Sequence, residues 1–387
     1  MTILPFLLVF YEITTYLSTD MYLPALPQMM HDLNTTHYLA QLTLTTWFFG
    51  AASMQLILGP IADHYGRRPV LFCGGLMFII AIITCALTHS ITLFLIARFF
   101  QGCAVCSVVV AAYATVHELY EHKQAMYILA LMGSMIVLAP SFGPLVGGLI
   151  LHVAHWRYIF WLLAIWASTA LLILFKYMPE TNPNKKNIFN MRLLLKNYSA
   201  ILTNKTFITH TLILCFVFSE LIVWLTAGPF LIIDTFHYSP FMFGVFQAIV
   251  FGGNMLAARF VKYGIERIGS NQLITVGVFI TLAASVLACL VSHFLIGFIL
   301  AFTLYCIGSG LSYGPLNRTA IAACHQPMGL RMAVLSTLLS IAAVIASVSI
   351  TAFYNGKIIS LGIVILVLAS CACVIKTKYV TEPVITS

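Results

Sequence analysis

Residues 91–117 of the chain read ITLFLIARFFQGCAVCSVVVAAYATVH, and this stretch decides the fold class. The run is 27 residues long and holds one permanently charged side chain, Arg98, among apolar and small residues. A helix needs about 20 mainly apolar residues to cross the hydrocarbon core of a bilayer. The stretch therefore predicts a membrane-spanning helix that carries one buried cation.

Eleven further runs of similar character accompany this one along the chain. Their length and uniform apolarity favour helices, because the strands of a membrane barrel alternate apolar and polar residues over segments of about 10 positions. The sequence therefore predicts an all-α integral membrane protein with twelve transmembrane helices. The predicted spans are residues 3–28, 39–62, 69–88, 91–117, 124–151, 156–178, 206–233, 240–261, 271–291, 294–321, 330–353 and 358–375.

Composition excludes several other classes of protein. Charged residues make up 8% of the chain, against roughly 25% in soluble domains, which argues against a soluble enzyme, a disordered chain and a nucleic-acid-binding protein. The cysteines and histidines form no cluster at the spacing of metal ligands, and Cys103 and Cys106 stand alone inside a predicted helix. We therefore expect no enzymatic activity, no metal site and no cofactor.

Basic residues and one polar connection indicate the topology. With the N-terminus placed inside, sixteen of the nineteen Lys and Arg residues fall on the inner side and two on the outer side. Cytoplasmic loops carry this excess in membrane proteins, so both termini are predicted to be cytoplasmic. The one long polar connection divides six spans from six, and its apolar spacing favours a helix on the inner membrane surface. The predicted parts are an N-terminal half at 1–178, a cytoplasmic linker at 179–205 and a C-terminal half at 206–387.

Two acids lie on the first predicted span, Glu12 and Asp20, with Tyr16 between them. On a helix they are separated by about 80° and about 12 Å along the axis, so they face the same side at two depths. A charge near the bilayer centre costs at least about 2.5 kcal/mol, which makes a functional reason the default. We therefore expect Glu12 to bind and release a proton, and Asp20 either to share that role or to cap the helix at the interface.

Arg98 and Glu220 are the other costly charges. A guanidinium inside a membrane needs carboxylate, carbonyl or water partners, so Arg98 is predicted either to couple to an acid or to bond helix backbones. Glu220 lies in the middle of the seventh span, and nothing near it in sequence pairs with it. It is predicted either to be a second titrating site or to be a lone, satisfied carboxyl group.

Two further patterns combine glycine with polar residues or with proline. In the inner loop after span 2, glycines permit close approach and a tight turn, and an acid can pair with nearby Arg. In span 5, prolines remove backbone donors and glycines permit packing against a neighbour from the other half. The first set, called the inner-loop latch below, is Gly59, Asp63, Gly66, Arg67 and Arg68. The span 5 set is Pro140, Gly143, Pro144, Gly147 and Gly148.

Several of these motifs together resemble one family. Residues 59–69 resemble the loop between helices 2 and 3 of the major facilitator superfamily, and residues 98–102 resemble its helix 4 motif. Residues 139–148 resemble the helix 5 motif of drug/proton antiporters. The segments 11–21 and 178–181 are similar to those of the twelve-span drug/proton antiporter group of that superfamily that includes the Bcr/CflA proteins.

The resemblance implies a fold and an activity. It implies two six-helix halves around a central cavity, in a bacterial inner membrane, and a monomer that exports small amphiphilic compounds by alternating access, driven by the proton gradient. Glu12, Asp20 and Arg98 would then serve proton coupling and substrate recognition, and Glu220 departs from the pattern. Two alternatives stay open: a dedicated carrier of one metabolite such as a siderophore, and a membrane receptor or passive channel. The candidate cavity residues are Tyr16, Trp224, Phe230, Met255 and Tyr305.

Overall fold

The computed structural model describes residues 3–181 and 191–379 of the chain. Within these ranges the regular structure is entirely helical. Fifteen α-helices occur: α1 (Leu4–Asp20), α2 (Leu26–Asp32), α3 (His37–Tyr65), α4 (Arg67–Leu87), α5 (Ile91–Ser107), α6 (Tyr113–Leu119), α7 (His122–Val153), α8 (Arg157–Tyr177), α9 (Met191–Leu202), α10 (Lys205–Pro229), α11 (Pro240–Ile268), α12 (Ser270–Leu290), α13 (Leu295–Ala322), α14 (Met328–Phe353) and α15 (Ile358–Tyr379).

Eleven helical segments of the described ranges are long and apolar enough to cross a membrane. They correspond to the predicted spans 2 to 12. The first predicted span is divided instead: α1 has 17 residues, a 3₁₀ turn follows at Leu23–Ala25, and α2 continues from Leu26. Pro24 and Pro27 lie at these breaks, and a proline has no backbone N–H to continue the helical ladder.

Two spans contain π-helical segments. In the fourth span, Val108–Ala112 is π-helical and joins α5 to α6. In the seventh, Phe230–Thr235 is π-helical and follows α10 directly. A π segment holds more residues per turn than an α-helix and therefore rotates the side chains that follow it about the axis. This rotation matters for Tyr113, the first residue of α6.

The described chain forms two compact units. Unit 1 comprises Met1–Leu194 with Tyr238–Gly244, and unit 2 comprises Leu195–His237 with Val245–Ser387. Helix α9 lies inside the predicted linker, and the basic positions 185 and 186 and Ile188 of that linker lie outside the described residues. The predicted boundaries at residues 178 and 206 stay predictions.

Small residues bring the spans of each unit into close contact. In unit 1, a Cβ on Gly50 of α3 would lie 2.0 Å from the carbonyl oxygen of Phe99, and one on Gly102 of α5 would lie 1.9 Å from that of Trp47. In unit 2, a Cβ on Gly277 of α12 would lie 2.7 Å from the carbonyl oxygen of Gly308. Backbones approach this closely in membrane helices only where a side chain is absent or small.

Candidate functional site

Arg98 lies inside unit 1 and connects three helices. Its Nη1 donates to the carbonyl oxygen of Ser18 on α1 at 2.9 Å and to Oε1 of Gln101 at 2.6 Å. Its Nε donates to the carbonyl oxygen of Thr43 on α3 at 3.3 Å, and the guanidinium carbon lies 4.4 Å from the ring centre of Tyr22. The side chain is fully buried. Arg98 was predicted either to bond helix backbones or to couple to an acid. The structure shows bonds to two helix backbones and, in addition, an electrostatic interaction with an acid.

That acid is Asp20, the last residue of α1. It is 4% exposed and interacts electrostatically with Arg98. Helix α7 packs against it, because a Cβ on Gly143 would lie 2.9 Å from the Cβ of Asp20. A Cβ on Gly147 would lie 1.9 Å from the carbonyl oxygen of Met21. The absence of side chains at these two glycines therefore lets α7 press against the end of α1.

The partner of α7 differs in part from the prediction. The sequence predicted that Gly143, Gly147 and Gly148 contact the other half, and the structure places α1 of the same unit against the first two. Gly148 faces the backbone of Phe241, as predicted, since that residue lies in the predicted C-terminal half at 206–387, although its segment Tyr238–Gly244 groups with unit 1. Pro140 and Pro144 lie inside α7, which remains one helix through both. The sequence shows that one face of a helix carries small residues, but it does not show which neighbouring helix packs against that face.

Glu12 lies on α1 two turns before Asp20 and is fully buried. Its Oε1 accepts a hydrogen bond of 2.9 Å from the phenol of Tyr113, and the half-buried Tyr16 also bonds this carboxyl group. Its Oε2 has no hydrogen-bond partner among the described residues. One carboxylate oxygen of Glu12 is therefore hydrogen-bonded and the other is buried without a described partner, so a proton on the second oxygen would not displace the existing bond.

Tyr113 was not identified from the sequence. It is one of many aromatic residues, and its contact with Glu12 depends on the rotation that the π segment Val108–Ala112 gives to α6. The one available signal was a tyrosine just after a run of small and β-branched residues. That signal is too common to single out a site.

The inner-loop latch is held by acids of unit 1. Nη2 of Arg67 lies 2.6 Å from Oδ1 of Asp63 and 3.2 Å from Oε1 of Glu118. The backbone N–H of Arg67 donates to Oε1 of Glu180 at 3.0 Å. The pairing of Asp63 with Arg67 was one of the predicted possibilities, whereas Glu118 was not identified. Glu180 belongs to the predicted motif 178–181 but had no predicted role.

The remaining latch residues differ in their surroundings. Gly66 has φ 107°, a conformation that favours glycine, and a Cβ there would lie 2.2 Å from Oε2 of Glu180. Nη2 of Arg68 donates to the carbonyl oxygen of Phe175 at 2.7 Å, with the guanidinium 5.0 Å from that ring. A Cβ on Gly59 would meet nothing within 4 Å. The predicted close approach therefore applies to Gly66 and not to Gly59.

In unit 2, Glu220 is fully buried on α10. Its Oε2 accepts a hydrogen bond of 3.4 Å from Ser285 on α12, and its Oε1 has no partner among the described residues. Tyr305 of α13, also buried, donates to the carbonyl oxygen of Val217 at 2.6 Å and interacts electrostatically with Glu220. The structure therefore does not bring Glu220 together with Glu12, Asp20 or Arg98 inside one unit.

The remaining cavity candidates, Trp224, Phe230 and Met255, also lie in unit 2. Trp224 and Phe230 are fully buried, and Nε1 of Trp224 donates to Oε1 of Gln247 on α11. Met255 of α11 is half-buried. Trp224 and Phe230 therefore belong to the packed interior of unit 2, and their role as substrate contacts stays a prediction.

Comparisons with known proteins agree with this architecture. The sequence profile described as the Major Facilitator Superfamily matches residues 8–377. The chain is 30% identical over 359 residues to the multidrug resistance protein MdtM of Salmonella typhimurium, covering 91% of this chain and 86% of that one. It is 30% identical over 333 residues to the multidrug transporter MdfA of Yersinia pestis, covering 84% and 80%.

Solved structures show the same fold. The xylose transporter XylE of E. coli, in a partially occluded inward-open conformation, superposes with a TM-score of 0.77 at 13% identity over 99% of this chain and 98% of that one. A bacterial homologue of the human lysosomal transporter Spinster gives a TM-score of 0.75 at 14% identity over 98% and 97%. The profile match agrees with the multi-pass helical fold and with the buried charges of α1 and α5. The chain belongs to the Major Facilitator Superfamily, and it is a transporter and not an enzyme.

Proposed function

We propose that this chain exports amphiphilic, mainly cationic small molecules in exchange for protons, by alternating access and without a cofactor. The observation that carries the proposal is the pair of buried acids on α1, with Arg98 bonded to the same helix. The names of the similar proteins, a multidrug resistance protein and a multidrug transporter, support the transport of several drugs.

Glu12 is proposed as the proton carrier. One of its oxygens is held by Tyr113 and the other has no described partner, so a proton can be added without breaking the existing bond. A substrate cation that approaches the same carboxyl group competes with that proton, because both require the carboxylate's negative charge. Competition of this kind makes the release of a proton accompany the binding of a cation.

Asp20 and Arg98 are proposed to couple this exchange to substrate recognition. Arg98 offsets the charge of Asp20 while no cation is bound, and an arriving cation takes over part of that role. The backbone bonds of Arg98 to Ser18 and Thr43 fix the guanidinium while Asp20 changes partner. The positive charge therefore stays in place throughout the cycle.

The orientation and assembly are proposed on separate grounds. The sixteen to two distribution of basic residues favours cytoplasmic termini, and the similar bacterial proteins favour the inner membrane. Each unit has its own packed interior, which suits a transporter that works as a monomer. Reaction of cysteines placed at the termini with an impermeant thiol reagent in intact cells tests the orientation, and labelling there would contradict it.

Proton release on substrate binding tests the proposal directly. Tetraphenylphosphonium added to purified protein in weakly buffered detergent solution is expected to acidify the solution, and no acidification would exclude proton exchange. Glu12→Gln is expected to remove the proton that cation binding displaces from Glu12. Asp20→Asn is expected to weaken binding by about tenfold to a hundredfold, because a charge-assisted contact contributes about 1.5 to 3 kcal/mol.

A dedicated carrier of one metabolite is the second candidate. Glu220 favours it, since an additional buried acid in unit 2 can serve specific binding. A susceptibility panel of chemically diverse drugs in an efflux-deficient bacterial host separates the two candidates. Resistance to several unrelated cations supports the exporter, and resistance to none supports the dedicated carrier.

A further inference from the structure

Glu220 occupies an unusual place in unit 2. It is fully buried in the middle of a membrane-spanning helix, with one hydroxyl donor at 3.4 Å and one oxygen without a described partner. A charged side chain at this depth costs at least about 2.5 kcal/mol, and one weak hydrogen bond of about 1 kcal/mol does not offset that cost. Packing alone therefore gives no reason for an acid at this position.

The described groups that interact with Glu220 are neutral. The groups that interact with it are the hydroxyl of Ser285 on α12, and the phenol of Tyr305 and the thiol of Cys306 on α13. Lys376 of α15 meets α10 beside His210, which is ten residues and therefore about 15 Å before Glu220.

The remaining neighbouring helix, α14, has one basic residue, Arg331, and its guanidinium bonds elsewhere. Its Arg331 donates to the carbonyl oxygens of Ile321 and Cys324 at the end of α13. Glu220 therefore has no described cation beside it, whereas Asp20 interacts electrostatically with Arg98. The neutral, protonated form fits this environment.

The sequence around Glu220 repeats the sequence around Glu12. Residues 9–23 read VFYEITTYLSTDMYL and residues 217–231 read VFSELIVWLTAGPFL, so Val, Phe, Glu and two Leu recur at the same spacing. Tyr16 corresponds to Trp224, and the acid of each unit lies at the fourth position of its segment. The position of Asp20 is taken by Gly228, so unit 2 repeats the first acid and not the second.

We infer that Glu220 is a second proton-carrying carboxyl group, so that each unit of the transporter holds one exchangeable proton of its own. In the step, a proton from the outer side adds to the carboxylate of Glu220, and the same proton leaves to water on the inner side. The inference rests on the proposed proton exchange and adds a second site to it. Ser285 would remain beside Oε2 of Glu220 while Oε1 exchanges its proton.

Infrared difference spectroscopy tests the site without transport. In wild-type protein, raising the pH is expected to remove the carbonyl-stretch bands of two protonated carboxyl groups, from Glu12 and Glu220. Glu220→Gln is expected to lack one of these bands, and Ser285→Ala is expected to shift the same band. Glu266→Gln, which changes an exposed acid of unit 2 that pairs with Lys262 at 3.9 Å, serves as the matched control.

Two infrared results would overturn the inference. One is a Glu220→Gln spectrum identical to that of the wild type. The other is a Glu220 band that persists at every pH at which the protein stays folded, because a permanently protonated group carries no proton across. If Glu220→Gln does not fold, the wild-type titration and the Ser285→Ala shift still decide the question.

The proton-to-substrate ratio in proteoliposomes tests the consequence. The ratio follows from the membrane potential that balances a fixed pH gradient and a fixed substrate gradient. Glu220→Gln is expected to lower the ratio by one proton and Glu266→Gln to leave it unchanged, whereas an unchanged ratio in Glu220→Gln would refute the inference. Absence of proton coupling in the wild type would contradict the proposed function instead, and the infrared titration would still report on Glu220.

Discussion

Units 1 and 2 bury charge in different ways. In unit 1, Arg98 interacts with Asp20 and bonds two helix backbones, so opposite charges offset one another inside the bundle. In unit 2, Glu220 meets a hydroxyl, a phenol and a thiol. The difference indicates that unit 1 holds Asp20 beside a buried cation, whereas unit 2 holds Glu220 among neutral groups, as unit 1 also holds Glu12 beside the phenol of Tyr113.

Removing Arg98, the buried cation of unit 1, is expected to have the largest effect on the difference between the two units. Arg98→Ala removes the donor to the carbonyl oxygens of Ser18 and Thr43, and with it the cation that interacts electrostatically with Asp20. A loss of about 3 to 5 kcal/mol is expected, because the remaining charge is buried and unpaired. Thermal unfolding in detergent and drug efflux from cells measure the effect, and Arg259→Ala, at an exposed arginine of α11, is the control. Equal stability of the two variants would show that the network is dispensable.

A methyl group at the contact of α7 with α1 is expected to have the next largest effect. In Gly147→Ala the new Cβ would lie 1.9 Å from the carbonyl oxygen of Met21, next to Asp20, so the helices must separate. The expected loss is about 1 to 3 kcal/mol. Gly133→Ala on the same helix is the matched control, since its Cβ meets nothing within 4 Å. A similar unfolding temperature for both variants would contradict the contact.

Removing one hydroxyl from the Glu12 site has a smaller expected effect. Tyr113→Phe keeps the ring and removes the 2.9 Å bond to Oε1 of Glu12. A change of about 1 kcal/mol is expected, read as a roughly fivefold weaker binding of tetraphenylphosphonium and a shifted pH dependence of that binding. Tyr127→Phe, at an exposed tyrosine of α7, is expected to change neither. An unchanged pH dependence in Tyr113→Phe would show that the hydroxyl does not hold the carboxyl group.

The smallest expected effect on stability is that of Ser285→Ala in unit 2. The hydrogen bond to Glu220 is long, at 3.4 Å, and the serine hydroxyl also bonds the carbonyl oxygen of Thr281 at 2.7 Å. A neutral carboxyl group loses little when such a donor is removed, and a change within about 1 kcal/mol is expected. Thermal unfolding measures it. A loss as large as that of Arg98→Ala would mean that Glu220 is charged, and would remove the contrast between the units.

The spans were predictable from the sequence because their limits depend on local composition. The predicted sixth span at 156–178 and the observed helix Arg157–Tyr177 differ by one residue at each end. The first span shows the limit of this reasoning, since run length ignores the prolines that divide it. Long apolar runs therefore locate spans well and describe their internal geometry poorly.

The members of the candidate site were predictable one by one, and their arrangement was not. Glu12, Asp20 and Arg98 are recognisable because each is costly in a membrane. The bond from Tyr113 to Glu12 depends on the rotation of α6, and the contact of Gly143 with α1 depends on which helix approaches. Helix rotation and neighbour choice follow from packing of the whole unit, which no local pattern contains.

The bonds of Arg98 to helix backbones have an evolutionary consequence. No substitution removes a backbone carbonyl, so residues 18 and 43 can change their side chains without releasing the guanidinium. The position of the positive charge in the bundle therefore does not depend on the side chains at these two residues, while the residues that contact substrates can change in evolution. Such a transporter can acquire new substrates through substitutions of the residues around Arg98 while the guanidinium keeps its position.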